Sequence, residues 1–345
     1  MPDIEAKLKF LRTPASYGES GPLLQCVETH MSWLFLLEQR VFKLKKPVSF
    51  PFLDFTTLKA REFYCREEVR LNARLAPAIY LGVMALQWHD GAFALVPEAQ
   101  LPAAGETVDW LVAMRRLPGD RMLLQRLASH AIAPQDLDAL VDLLGRFYRA
   151  APVAPVTVAD YLARFQREQA GNREVLLRPQ FRLRDAARVI ERLGTALAQG
   201  ADLLRARAAG RRVLEGHGDL RPDHVFLLQP PVVIDCLEFN PQLRQVDPFD
   251  EMAYLGLECE MAGAPWIGSY LTAGVADALG DPPQPGLLHL YTAHRALLRA
   301  RLAMAHLLDP QPRSPEKWPP LAQRYIARAL AASDAFIAAK LHGRS

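Results

Sequence analysis

The sequence predicts an α+β protein of two lobes, a small β-rich one followed by a larger helical one. Three observations predict it. The chain has 345 residues, more than one hydrophobic core usually fills. Residues 23–46 read as consecutive apolar runs of strand length. From residue 118 onward the composition shifts to Ala, Leu and Arg at helical spacing.

The elements follow in order. MPDIEAKLKFLRTP carries acids early and no long apolar core, which excludes a secretory signal. LLQCV, SWLFLL and VFKLK form a strand meander, the last two joined by a hairpin at Glu38-Gln39, before prolines break the pattern in KPVSFPFLDF. TLKAREFYCREEVRLNARLA has helical spacing that groups Phe63, Val69, Leu71 and Leu75, and Pro77 ends it. Strands in IYLGVMALQW, AFALV and WLVAMRRL complete the first lobe. The turn at Pro118-Gly119 marks the boundary, giving lobes of residues 1–117 and 118–345. Beyond it, APQDLDALVDLLGRFYRA, VADYLARFQREQ and FRLRDAARVIERLGTALAQGADLLRARAA are amphipathic helices. EGHGDLRPDHVFLLQPPVVIDCLEF interrupts them with a loop, a strand, a Pro-Pro turn and a second strand. Helices return from Pro248 to the end, with no internal repeat.

Charge and composition exclude several classes. Apolar and charged contents of 50% and 23% are those of an ordinary soluble globular chain. A net charge of +3, with lysines clustered only at Lys43, Lys45 and Lys46, is too mild for a nucleic-acid or anionic-membrane partner. No apolar run approaches the roughly 20 residues of a membrane helix. Cys26, Cys65, Cys236 and Cys259 lie far apart without a C-x-x-C pair, as reduced thiols in a cytoplasmic protein do.

The chemistry concentrates in one stretch. A single turn holds His217, Asp219, Asp223 and His224, and Asp235 closes the next apolar run. Asp219 and Asp235 stand a strand, a turn and a strand apart, so they can converge on one point of a hairpin. Two converging acids suit taking a proton from a hydroxyl and holding a divalent cation. Phosphoryl transfer needs both.

HGDLRPDHVFLL…VVIDCLEF resembles the catalytic and metal-binding segments of the aminoglycoside phosphotransferase-like branch of the protein-kinase-like fold. Residues 28–82 resemble the first lobe of a bacterial family of that kind, and Ile234 to Asp247 carry its IDCLEFN…LR..D pattern. Some members add a C-terminal P-loop kinase domain; with no G-x-x-x-x-G-K-[ST] match, the stand-alone form is the expectation. The resemblance implies ATP (or GTP) and Mg²⁺ (or Mn²⁺) as cofactors, and a small-molecule hydroxyl as acceptor. Asp219 becomes the catalytic base, His217 the buried brace of its loop, and Asp235 the principal metal ligand. His224 stands five beyond Asp219, where the family has asparagine. It is a metal ligand of altered preference, a phosphate contact, or the mark of a lost second metal site.

The resemblance also implies a phosphate lysine on the third strand paired with a helix glutamate. Lys43 fits, with Lys45 on the same strand face as the fallback; Glu68 is preferred to Glu67 as partner because Leu71 and Leu75 share its face. The phosphate-covering turn falls at Glu28–Ser32, where Thr29 and Ser32 offer hydroxyls in place of any glycine. Met114 to Leu117 form the hinge, with Met114 and Arg116 beside the adenine. Asp247 reads as a helix cap, and Asp250 as the support of the catalytic loop. Glu238 is either near the metal or a surface acid, and Arg244 either binds substrate or pairs with Glu238. Arg295, Arg299 and Arg301 read as exposed, as do His130 and His342. Two other classes remain in view: a pseudokinase without turnover, and a metallohydrolase gathering His217, Asp219, His224 and Asp235 around one metal.

Overall fold

Period-two alternation in the early apolar runs becomes an antiparallel sheet in the computed structural model, which describes residues 2–18, 25–50, 53–129 and 132–342. Leu23, Leu24, Pro51, Phe52 and His130 lie outside the described residues. The α+β class read from the sequence holds. The chain divides into two compact units, Met1–Arg126 with Asp223–Leu243, and Leu127–Pro222 with Arg244–Ser345. That division differs from a single break after residue 117, because residues 223–243 group with the first unit.

In the first unit, α1 (Ile4–Leu11) precedes β1 (Gln25–Glu28), β2 (Ser32–Leu36) and β3 (Arg40–Lys45). A small ladder of β4 (Ser49–Phe50) and β5 (Leu53–Asp54) leads into α2 (Leu58–Asn72). β6 (Tyr80–His89), β7 (Ala92–Pro97) and β8 (Glu106–Arg115) complete a sheet of order β1-β2-β3-β8-β6-β7, antiparallel throughout. Alternation along β3 sends Phe42 and Leu44 to one face, where they cluster with Leu8, Leu11 and Tyr17. Val41 points to the other face, into a cluster with Cys65, Tyr80, Val112 and Trp110. Phe226 and Val232, from the two-stranded hairpin Val225–Phe226 and Val232–Val233, fill that second cluster.

The helix α1 was not anticipated. Its Ile4, Leu8 and Leu11 recur at helical spacing, and Asp3 caps it by accepting from the Ala6 N–H at 2.8 Å. Lys7 of α1 and Arg61 of α2 both reach the buried Asp109 of β8, at 2.8 and 2.7 Å. One acid thereby anchors a helix on each side.

The inward side of α2 is polar: Arg61, Cys65, Glu68, Leu71 and Asn72 are its buried residues. Phe63, grouped with the core by the sequence pattern, is 56% exposed, which corrects that assignment. Apolar periodicity misreads a helix whose inner stripe carries charge.

The chain enters the second unit within α3 (Leu123–Ala128). Four helices follow: α4 (Asp138–Ala150), α5 (Val158–Leu176), α6 (Ala186–Gln199) and α7 (Ala201–Ala209). After the hairpin come α8 (Pro248–Met261), α9 (Trp266–Leu279), α10 (Leu287–Ala305) and α11 (Trp318–His342). α6, α10 and α11 share one core; α5, α8 and α10 meet in a second. α8 and α9 cross at Gly256 and Gly268, where a Cβ on either would lie 2.8–2.9 Å from the other's Cα. Leu214–Glu215 pairs antiparallel with Gln245–Val246, which holds the segment entering the HGD turn beside the start of α8. Among the described residues no helix is long and apolar enough to cross a membrane.

Candidate active site

In the first unit the pleat of β3 puts Lys43 and Lys45 on one face, opposite α2. The Lys43 ammonium donates to Glu68 Oε1 at 2.8 Å and to Asp235 Oδ1 at 3.2 Å. Lys45 donates to Glu68 Oε2 at 2.6 Å and to Glu238 Oε1. Glu68 thus gives one oxygen to each lysine, while Glu67 pairs with Arg70 on the surface. Lys45 is sealed, whereas Lys43 keeps some exposure.

Burial opposes charge on both lysines, yet the acids outweigh it: Asp235 and Glu68 hold Lys43 well above its ordinary value, and Glu238 and Glu68 do so for Lys45. Burial likewise pushes Glu68 up, but the two lysines prevail and hold it below the usual carboxylate range. For Glu238 burial wins over Lys45, and its carboxyl is raised.

Asp235 follows the hairpin in the left-handed region, with φ +62°, which short polar side chains tolerate best after glycine. Its N–H donates to Tyr80 Oη at 3.2 Å, and the next N–H, of Cys236, donates to Asn72 Oδ1 at 2.9 Å. The carboxylate is half exposed. His224 is buried, and its Nε2 lies 3.6 Å from Asp235 Oδ2 and 3.7 Å from Asp223 Oδ2. An exposed carboxylate beside an imidazole is a usable pair for a divalent cation that keeps water and phosphate oxygens as its other ligands. The mixed O/N set suits Mn²⁺ better than all-oxygen sites do. Among the described residues no three His, Cys, Asp or Glu side chains gather as metal ligands.

The β1–β2 turn is held from within. Thr29 Oγ1 donates to the Ser32 carbonyl at 3.0 Å and accepts from the N–H groups of Ser32 and Met31 at 3.0 and 3.3 Å. Ser32 is buried opposite Lys45. Met114 lies in β8 between Val41 and Tyr80. Arg116 binds back to the β2–β3 turn, its N–H to Gln39 O at 2.7 Å and its guanidinium to Leu37 O at 3.1 Å.

In the second unit the HGD turn is clamped from α8. Gly218 takes φ +92°, a conformation that favours glycine. The buried Glu251 accepts the N–H groups of Gly218 and His217 at 2.5 and 3.0 Å, and the Tyr148 hydroxyl at 2.9 Å. This corrects the assignment of loop support to Asp250. Asp250 instead accepts from Arg295 at 2.6 and 2.7 Å and pairs with Arg164 at 3.2 Å. His217 is fully buried, and its Nδ1 accepts the Asp219 N–H at 3.3 Å.

The Asp219 carboxylate is gripped at both oxygens. Tyr254 donates to Oδ1 at 3.0 Å, and Arg221 Nε lies 3.1 Å from Oδ2. Burial, and then the charge of Asp219, push the Tyr254 hydroxyl far up, so it stays a donor. Asp247 caps α8 through the Phe249 N–H at 2.9 Å and also binds Arg207 and Tyr291. Arg244 is buried and pairs with Glu215 at 3.0 Å. The arginine stripe is not a solvated face: Arg295 is buried on Asp250, Arg299 pairs with Glu258 at 3.0 Å, and Arg301 with Glu168 at 2.5 Å.

The sequence reading assigned no part in the HGD turn or beside the two acids to Tyr80, Glu251 or Tyr254. Glu251 had a signal, since it adjoins Asp250 in the first turn of α8.

No protein-family model matches the chain. Uncharacterized proteins of Mycobacterium tuberculosis and Mycobacterium bovis are 31% identical to it over 296 residues, 84% of this chain and 57% of theirs. The chain therefore spans little more than half the length of these relatives. Among solved structures it resembles a choline kinase from Cryptosporidium parvum, at TM-score 0.58 and 10% identity over 97% of each chain. A choline/ethanolamine kinase family protein from Mesorhizobium loti matches at 0.55 and 15% over 97% of each. The ternary complex of APH(2")-IIa with streptomycin and ATP matches at 0.50 and 14%, covering 97% of this chain and 99% of that one. At these identities the likeness is one of fold.

Proposed function

From a chain with the protein-kinase-like α+β fold of these kinases, we propose a phosphotransferase that moves the γ-phosphoryl of ATP to a hydroxyl of a small molecule. The observation that carries this reading is the pairing of Lys43 with both Glu68 and Asp235, which joins a strand, a helix and a hairpin end at one ammonium. Such an ammonium, partly accessible and fixed from two sides, suits nucleotide phosphates.

Asp219 is the proton acceptor in this reading. With its carboxylate oriented by Tyr254 and Arg221, it accepts the proton of the acceptor hydroxyl as that oxygen bonds to the γ-phosphorus. The bond between the γ-phosphorus and the β–γ bridging oxygen breaks, and ADP leaves. Asp235 with His224 would hold a divalent cation, which would supply charge neutralisation on the phosphates.

The acceptor is not read as a polycation. Such a substrate wants a pocket of uncompensated acids. Of the glutamates on α8, Glu251 serves the HGD turn, Glu258 pairs with Arg299, and Glu260 pairs with Arg328.

Calorimetry with MgATP, followed by transfer of labelled γ-phosphate to a panel of small hydroxyl compounds, tests the reading. Asp219→Asn retains nucleotide binding and loses transfer by about 10²–10⁴-fold. Nucleotide binding without transfer to any acceptor, in wild type as in variant, would instead make the protein a pseudokinase.

A further inference from the structure

The reading above leaves two buried groups without a task. Lys45 is completely sealed from solvent, and its partner Glu238, three residues beyond Asp235, is nearly so. A buried ion pair of this kind contributes little stability over well-packed apolar groups of the same volume, so its presence asks for another role. Its connections are specific. Lys45 lies on β3, Glu68 on α2, and Glu238 on the segment that carries the Asp235 carboxylate.

We propose that Lys45 and Glu238 form a positioning strut that fixes the Asp235 segment to α2 and frees Lys43 to engage nucleotide phosphates. The proposal rests on the nucleotide-binding part of the reading above and adds residues to it. The geometry gives the reason. Glu68 divides its two oxygens between the lysines, Oε1 to Lys43 and Oε2 to Lys45. When Lys43 turns towards a phosphate, Glu68 keeps a cation at hydrogen-bond distance and is not left as an uncompensated buried charge. Glu238 in turn holds Lys45 against the Asp235 segment, whose other attachments include the N–H bonds of Asp235 to Tyr80 and of Cys236 to Asn72 and the Arg74 guanidinium to Cys236 Sγ at 3.4 Å. Lys45 itself has no exposed path to a ligand, so its effect passes through Glu68, Lys43 and Asp235.

Charge alone and strut geometry predict opposite outcomes. Lys43, Lys45, Glu68, Asp235 and Glu238 sum to one net negative charge. Lys45→Met makes the cluster more negative, and Glu238→Gln makes it neutral. If only summed charge mattered, the first would weaken binding of an anionic nucleotide and the second would strengthen it. If the strut matters, both weaken it.

The test is calorimetric affinity of the full chain for a non-hydrolysable ATP analogue with Mg²⁺, with the thermal midpoint of each variant measured in parallel. Lys45→Met and Glu238→Gln are each expected to lose roughly 10–100-fold in affinity, as removal of groups that orient ligating side chains does. Folding defects are distinguished by the near-isosteric Glu238→Gln, whose midpoint stays close to wild type while its affinity falls. Wild-type affinity in both variants, or opposite shifts in the two, overturns the strut and leaves the nucleotide site standing. Absence of nucleotide binding in wild type overturns both together.

Discussion

His294 of α10 has no exposed surface, and among the described residues neither ring nitrogen has a hydrogen-bond partner. Its ring packs edge-on against Phe165, at 4.8 Å between centroids. The charged groups around it are Asp250, Arg164, Glu168 and Arg295. Burial dominates and pulls the imidazole down from 6.5 to about 4. The unfolded chain therefore binds the proton first as pH falls. Stability contributed by the neutral ring is full above pH 6.5 and is lost progressively towards pH 4, by about 3 kcal/mol in all. Urea midpoints at several pH values between these limits should fall for wild type more steeply than for His294→Phe; parallel slopes would refute the assignment. Residue-scale roles were partly legible in the sequence. The HGD turn and its acids announced themselves by density, but the choice between Asp250 and Glu251 did not. Adjacent acids on a helix point about 100° apart, and the roll of α8 that turns Glu251 to the loop is fixed by what packs around it.

Among elements, α8 has the most to hold, since it presents Glu251 to the HGD turn and Tyr254 to Asp219. Its seat is the Gly256–Gly268 contact with α9, where backbone meets backbone and no side chain can rotate away. Gly256→Ala and Gly268→Ala are each expected to cost about 1–3 kcal/mol in denaturant titrations. Gly194→Ala in α6 is the control. Its added methyl meets only Gln169 Nε2 at 3.9 Å, and it should stabilise by about 0.5–1 kcal/mol. Equal behaviour of all three would show that the close approach carries no weight. Most helices and strands could be read from spacing. α2 and α1 could not be read fully, for related reasons: α2 buries Arg61, Glu68 and Asn72 where a core stripe would be apolar, and α1 is short and buries Lys7. Charge that meets its partner inside the fold looks like surface charge in a string of letters.

At the scale of the whole molecule, the two-part organisation was legible from the shift in composition, but its seam was not. Contacts that gather residues 223–243 with the first unit are long-range, through Phe226 and Val232 in the sheet-side cluster and through Lys43–Asp235 and Lys45–Glu238. Residues 1–126 expressed alone would lack Glu238 as a partner for Lys45 and leave that cluster open. Such a fragment should bind a hydrophobic dye and melt without a sharp transition. Joining residues 223–243 to it through a flexible linker should restore cooperative melting; a sharp transition in the shorter piece would refute this. The discontinuity also constrains how the gene can recombine. A single crossover that exchanges the N-terminal half with a homologue would bring in foreign Lys43 and Lys45 while retaining the native Asp235 and Glu238, so a workable chimaera needs three junctions.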